Sequence, residues 1–274
     1  MFKKNKALRR FWMGLQTLCG WRRQGFFAPY RYADQVHKPR VYEAVEARFR
    51  EAEPAMAEVL DLIDAAGEEL TALDGPPPAP RWDQSWFPRL DGAAAYAIVK
   101  HAGPARIIEV GSGHSTRMLA HAAPKGCRIT CIDPEPRAVL AGLEIDWHRE
   151  VLGPQHIEKF EELVAGDIAF FDSSHILWPG SDVDIILNRI LPVLAPGVLI
   201  HIHDILLPDP YPDAWEWRGY TEQQGVAPWL FGGAEIVFSS HYARTRIGAA
   251  DRPGIARLPI PDGALETSLW LRRT

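Results

Sequence analysis

An α/β fold, a seven-stranded and mostly parallel sheet with helices on both faces, is predicted by three observations. Residues 106–110 form a β-branched run, Arg-Ile-Ile-Glu-Val, that stops at Gly111-Ser112-Gly113 and gives way to the helix-compatible Arg117-Met118-Leu119-Ala120. A second buried run, 128–132, ends at Asp133, twenty residues after Gly113. Apolar strands and helical segments then alternate through a fifth strand, the pattern of a parallel sheet.

In chain order, the apolar positions Val45, Phe49, Met56, Val59, Leu60, Ile63, Leu70 and Leu73 recur at three- and four-residue steps. They predict helices interrupted near Pro54. The run Gly75-Pro76-Pro77-Pro78-Ala79-Pro80 cannot continue a helix, dividing an N-terminal helical extension (1–80), a lid or dimerisation region, from a catalytic domain (81–274). Asp91 is expected to cap a helix reaching about His101. Strands follow at 106–110, 128–132, 147–151, 168–172, 197–203, 234–239 and 267–272. Ser181 is expected to cap a helix between the fourth and fifth. With no clear helix between the last two, these are expected to close the sheet as an antiparallel edge hairpin.

The length of 274 residues suits one α/β domain of about 170–200 residues plus an extension. A net charge of −5 gives no argument for a nucleic-acid partner. Cys19, Cys127 and Cys131 have neither the even count of a disulfide framework nor the spacing of a zinc site, so a reducing cytoplasm is expected. Near the start, Lys3, Lys4, Lys6, Arg9 and Arg10 precede Phe11-Trp12-Met13-Gly14-Leu15, and Arg22-Arg23 follow. The apolar stretch is too short to span a bilayer, and no small-x-small site marks it as a cleaved signal. A basic amphipathic helix on an anionic membrane surface and a plain docking helix both fit.

In open sheets of this kind the ligand lies beyond the carboxyl ends of the strands. The turn 111–113 lets backbone approach a ligand closely, and a βαβ unit delivers Asp133 to a ribose diol. A dinucleotide site wants a third small residue where Thr116 stands, which weakens that reading. Glu109, two residues before the first glycine, instead resembles the acidic-x-Gly-x-Gly signature of class I S-adenosylmethionine-dependent methyltransferases. The implied fold is the Rossmann-like methyltransferase sheet. The implied cofactor is S-adenosylmethionine, held by Glu109, Gly111, Ser112, Gly113, Ser115, Asp133 and Asp172, with Glu109 orienting the loop or binding the cofactor's amino-acid end.

Strand four runs out into Asp172-Ser173-Ser174-His175 and strand five into His201-Ile202-His203-Asp204. Asp172, His175, His203 and Asp204 therefore converge if the two strands are neighbours, whereas His201 reads better as a hydrogen-bonded core histidine. These segments resemble a subgroup of class I methyltransferases related to metal-dependent sugar O-methyltransferases and cephalosporin-hydroxylase-like proteins, over roughly residues 85–245. The resemblance implies a divalent cation, magnesium, manganese or iron, on Asp172, His203 and Asp204. His203 stands where the subgroup has a carboxylate, so without a metal it is left as a base.

Methyl transfer needs an acceptor aligned with the carbon–sulfur bond and, for a hydroxyl, a proton acceptor. His203, Asp172 and His175 are the catalytic candidates. Tyr30, Arg31 and Tyr32 offer a clamp for an anionic acceptor, and the proline-stiffened stretch after Asp204 offers Tyr211, Trp215 and Trp217 as a lid. Trp178 is a further candidate to close over the site. The expected reaction is O-methylation of a small molecule at a hydroxyl or carboxylate by a cytoplasmic enzyme, with a homo-oligomer possible. Two rivals stay open: a nicotinamide-dependent oxidoreductase, and a non-catalytic membrane-associated binding module.

Overall fold

The computed structural model describes residues 6–37 and 39–274; Lys3 and Lys4 of the basic run lie outside them. Helix α1 (Lys6–Leu18) buries no residue. The periodic stretch forms α2 (Glu43–Glu51), α3 (Glu53–Ala65) and α4 (Gly67–Thr71). Pro54 falls in the first turn of α3, where its missing N–H would have had no helical partner, so it starts that helix as well as ending the previous one. Helix α5 (Arg89–Ala102) closes on Gly103 at φ 56°.

The strands and helices that follow are β1 (Arg106–Val110), α6 (His114–Ala122), β2 (Arg128–Ile132), β3 (Asp146–His148), α7 (Ile157–Glu161), β4 (Ile168–Phe171), α8 (Asp182–Ile185) and β5 (Leu199–Ile202). The chain finishes with α9 (Glu222–Val226), β6 (Ala234–Ser239), α10 (Ser240–Arg246), α11 (Pro253–Ala256) and β7 (Leu269–Arg273). The sheet order is β3-β2-β1-β4-β5-β7-β6, parallel from β3 to β5, with β7 antiparallel to both neighbours. The order reverses between β1 and β4, which opens a crevice beyond their carboxyl ends. Ser181 caps α8 as expected, its hydroxyl accepting from the Asp184 N–H.

Three expectations are corrected. The last two strands do pair antiparallel at the edge of the sheet, but not as a hairpin: α10 and α11 lie between them in the chain, and β7 inserts between β5 and the edge strand β6. Its Leu269, Trp270 and Leu271 are fully buried, which an interior position satisfies and an edge would not. Asp91 is not a cap but the third residue of α5, fully buried, its carboxylate accepting the N–H groups of Thr267 and Ser268 at 2.9–3.1 Å. Those two N–H groups are thereby kept out of the ladder, and β7 begins at Leu269, later than expected. Strand β3 is shorter than expected because the Glu150 N–H turns back to the His148 carbonyl.

One hydrophobic core extends from Val45 through the sheet to Leu271. Met56, Val59, Leu60 and Ile63 give α3 a single buried stripe that joins this core, so the proline run at 75–80 marks a turn in the chain and no gap in the packing. Outside the core lies the segment 6–41, none of whose described residues is buried.

Candidate active site

Gly111 holds φ at 80°, and a Cβ there would lie 1.9 Å from the Asp172 carbonyl oxygen, so β1 and β4 can meet at this turn only through a glycine. Behind the turn, Glu109 is fully buried and accepts hydrogen bonds from Ser115 Oγ (2.7 Å) and Thr116 Oγ1 (2.5 Å). Thr116 Oγ1 also accepts the Gly113 N–H at 2.8 Å. Thr116 thus serves the turn through its hydroxyl, where a third glycine could offer none. Glu109 is the anchor of the loop rather than part of the crevice wall, and Ser115 spends its hydroxyl on it. Asp133 supports the turn from the other side, one oxygen accepting the Ser112 N–H and the other the Glu135 N–H, both at 2.6 Å.

Burial pushes the Glu109 carboxyl up to about 7, against the opposing hydrogen bonds of Thr116, Ser115 and Cys131. A carboxyl raised on folding contributes stability that is complete below its unfolded value of 4.5 and is lost as pH climbs through 7. The loss amounts to about 3 kcal/mol at 1.36 kcal/mol per unit. Glu109→Gln is expected to remove this slope in urea unfolding between pH 5 and pH 8. Parallel pH profiles for the two proteins would contradict it.

Two cavities share this edge. One, of 350 Å³, is lined by Gly111, Ser112, Asp133, Arg137, Val151, Leu152, Asp172 and Ser173 among others. The second, of 260 Å³, continues past Ser112, Arg137 and Asp172 to His175, His203, Asp204, Trp86, Trp215, Arg218 and Tyr220. At their junction four side chains form a ring of alternating type. His175 Nε2 is 3.2 Å from Asp172 Oδ1 and 3.5 Å from Asp204 Oδ2, while His203 Nδ1 is 3.5 Å from Asp172 Oδ1 and 3.7 Å from Asp204 Oδ1. Each imidazole is backed by a buried carboxylate: His175 Nδ1 lies 2.7 Å from Glu222, and His203 Nε2 lies 3.2 Å from Asp91. Arg218 reaches Asp204 Oδ2 at 3.3 Å.

Burial alone would push both histidines down and Asp172 up. The ring overrides it: Asp172 and the carboxylates behind hold His175 and His203 well above the ordinary imidazole value, and His203 and His175 hold Asp172 well below the usual carboxylate range. His201 is the contrast. Stacked on Phe170 at 3.7 Å and bonded to Ser268 Oγ, it is driven well below its ordinary value by burial and stays a neutral core residue. His114 is likewise pushed down, to about 4, by burial and then by Arg117 and Arg81, and it stacks on Trp86. His175 and Asp204 are the only non-glycine residues at positive φ among those described (60° and 55°), and both sit in this ring.

Of the sequence-predicted positions, Gly111, Ser112, Gly113, Ser115, Asp133, Asp172, His175, His203 and Asp204 all border the two cavities. Trp215 lines the second, and Tyr211 packs behind it against Tyr220 with its hydroxyl accepting the Gln223 N–H. Tyr30, Arg31 and Tyr32 are exposed and line neither cavity; they pack on one another. Trp178 stacks on Phe26 at 5.0 Å. Sequence reasoning missed Arg137, Arg218, Tyr220, Glu222, the Asp91 support and the roof from Asp262 to Leu265. Arg137, Tyr220 and 262–265 reach the crevice from loops whose path no periodicity encodes, and Asp91 and Glu222 from helices whose partners are distant in sequence, although Arg218 and Tyr220 follow closely on the aromatic stretch after Asp204.

The fit to a sulfonium cofactor rests on polar atoms that have no protein partner. Ser173 Oγ in the first cavity and His114 Nδ1 in the second are buried and unbonded, at the edge where Gly111 brings β1 and β4 together. Sheet order, glycine turn and the acid after β2 place the two cavities at the switch point of an open α/β sheet, where such folds bind ligands. Residues 108–205 match the model of a family described as a methyltransferase domain, and that span contains the turn, Asp133 and all four ring residues. None of the curated proteins matches the chain. Among solved structures it is similar to the O-methyltransferase TomG from Streptomyces achromogenes in complex with SAM (17% identity, 79% of this chain and 90% of that one, TM-score 0.42). It is also similar to the O-methyltransferase from Bacillus cereus in complex with SAH (14%, 85% and 100%, TM-score 0.42). A third is the N-methyltransferase NodS from Bradyrhizobium japonicum WM9 with SAH (15%, 77% and 97%, TM-score 0.41).

Proposed function

We propose that this chain is a class I S-adenosylmethionine-dependent methyltransferase that acts on an oxygen of a small acceptor, with His203 receiving the acceptor's proton. The observation that carries the reading is the Asp91–His203 pair: a fully buried carboxylate fixes one imidazole nitrogen and leaves the other facing the cavity, the arrangement of a positioned general base. Trp86, Trp215 and Tyr220 give the acceptor apolar walls, and Arg218 suits an acceptor carrying negative charge.

S-adenosylmethionine, when bound, supplies an electrophilic methyl group, and the residues around it need only hold and orient. Asp133 is the ribose acceptor, Val151 and Leu152 flank the base, and the methionine end lies along 112–115 with Arg137 at hand. Asp133→Ala is expected to weaken SAH binding about 10- to 100-fold, the worth of hydrogen bonds to a charged group. An unchanged Kd by titration calorimetry would remove Asp133 from the ribose.

For a divalent cation, His175 Nε2 joins the three expected residues in the ring, but these donors are spread wider than a ready-made ion cage; among the described residues the donors that lie within 4.8 Å of one another are those of His148, Glu150 and His156. Two imidazoles, each backed by a carboxylate, suit manganese or iron better than magnesium, and such an ion would polarise the acceptor oxygen. A thermal-shift plate with SAM, SAH, nicotinamide cofactors and divalent ions, followed by labelled-methyl transfer to hydroxyl and carboxylate acceptors, tests the whole reading. Stabilisation by a nicotinamide cofactor and not by SAH would overturn it.

A further inference from the structure

The first helix is built inside out. In α1, Leu8, Phe11, Trp12, Leu15 and Leu18 recur at three- and four-residue steps, the spacing of a stripe meant for burial. Yet the opposite, polar side touches the protein: Lys6 lies 4.8 Å over the ring of Trp217, and Arg10 donates to the Glu216 carbonyl at 3.1 Å. The apolar side faces outward, with Phe11 65% and Trp12 46% exposed, and Trp21, 68% exposed with its ring 6.5 Å from that of Trp12, extends the patch. A contiguous aromatic surface of this kind is costly in water unless something covers it.

Charge identifies the cover. Before Asp34 the chain has eight lysines and arginines (Lys3, Lys4, Lys6, Arg9, Arg10, Arg22, Arg23, Arg31) and no carboxylate, in a protein whose net charge is −5. A second copy docking face to face would set these like charges against each other, whereas an anionic lipid surface neutralises them. No helix among the described residues is long and apolar enough to cross a membrane. We propose that the segment from Lys6 to Phe27 is a peripheral membrane-binding surface for anionic phospholipid, with α1 lying in the interface and Phe11, Trp12 and Trp21 inserted among the headgroups.

The surface is tied to the catalytic body through the helical turn 213–218, whose Trp215 and Arg218 line the acceptor cavity, so a lipid-bound chain presents that rim to the membrane. The inference stands whether or not the methyl acceptor is an oxygen. The test is co-sedimentation of the full chain with phosphatidylcholine vesicles, with and without phosphatidylglycerol. Binding is expected only with phosphatidylglycerol, with a blue shift of tryptophan emission and reversal by salt. The triple change Arg9→Glu, Arg22→Glu, Arg23→Glu should weaken it about a hundredfold, at roughly 1 kcal/mol per basic residue. Phe11→Ser with Trp12→Ser and Trp21→Ser should abolish the blue shift. Both variants should keep wild-type thermal stabilisation by SAH, which separates loss of the surface from loss of the fold. Equal binding to neutral vesicles, binding unaffected by either variant, or a dimer in solution dissolved by the same substitutions would each overturn the proposal.

Discussion

His203→Gln is expected to lower kcat by about 10²- to 10⁴-fold, the usual worth of a general base, while leaving SAH affinity within about twofold of the native enzyme. The split follows from position. His203 borders the second cavity and not the first, where Gly111, Asp133 and Leu152 would grip the nucleoside. The pH profile separates a base from a mere prop. Although burial opposes it, Asp172 and Asp91 raise the imidazole well above its ordinary value, so turnover should rise as pH increases through the folded value of His203. Stability must move the other way. An imidazole raised on folding stabilises the protein fully below its unfolded value near 6.5, and that contribution fades as pH climbs through the folded one. Rate and stability are therefore expected to trade off across the same window above the ordinary imidazole value. Asp91→Asn, which removes a charge behind His203, should shift the rate limb toward lower pH. A rate independent of pH above 7, or full turnover in His203→Gln, would leave the ring as scaffold and the proton with solvent.

The parts of this site that the sequence made legible are those set by short-range rules. A β-branched run stopping at a glycine pair fixes where backbone can meet a ligand, and the period of a strand puts His201 and His203 on one face. The alternation of strands and helices likewise gave the parallel half of the sheet. What stayed hidden depends on chain separated by long distances. Asp91 reads as a helix cap because its local neighbours permit one, yet the groups that claim it, His203 and the N–H of Thr267 and Ser268, lie more than a hundred residues away. Glu222, behind His175 in space, is 47 residues from it in sequence. The position of β7 was hidden for a similar reason: its fully buried Leu-Trp-Leu core is equally a sign of an interior strand and of a packed hairpin, and only the space between β5 and β6 decides. Tyr30, Arg31 and Tyr32 lie outside both cavities, because composition can suggest a clamp but does not encode the path that would bring it to the crevice.

Gly111→Ala is the substitution expected to do most damage to cofactor binding. Two costs combine. A side chain at φ 80° is held in the left-handed region, at roughly 1–2 kcal/mol. The added Cβ would also stand 1.9 Å from the Asp172 carbonyl oxygen, which is backbone and cannot swing aside. Relief therefore requires β1 and β4 to part at their carboxyl ends, and overpacking of this kind typically costs about 1–3 kcal/mol more. The movement falls on both halves of the site at once, because Asp172 is a corner of the ring and the Ser112 N–H next to the turn is held by Asp133. We expect SAH affinity to drop by about a hundredfold or more, with a lowered Tm, whereas Gly113→Ala, whose nearest neighbour would be 3.9 Å away and whose φ of 170° is extended, should fold with near-native stability. The pair of variants makes the measurement decisive. Calorimetric titration with SAH alongside thermal melts would show Gly111→Ala failing in both, and a Gly111→Ala protein that binds SAH as tightly as the native chain would mean the cofactor does not lie against this turn.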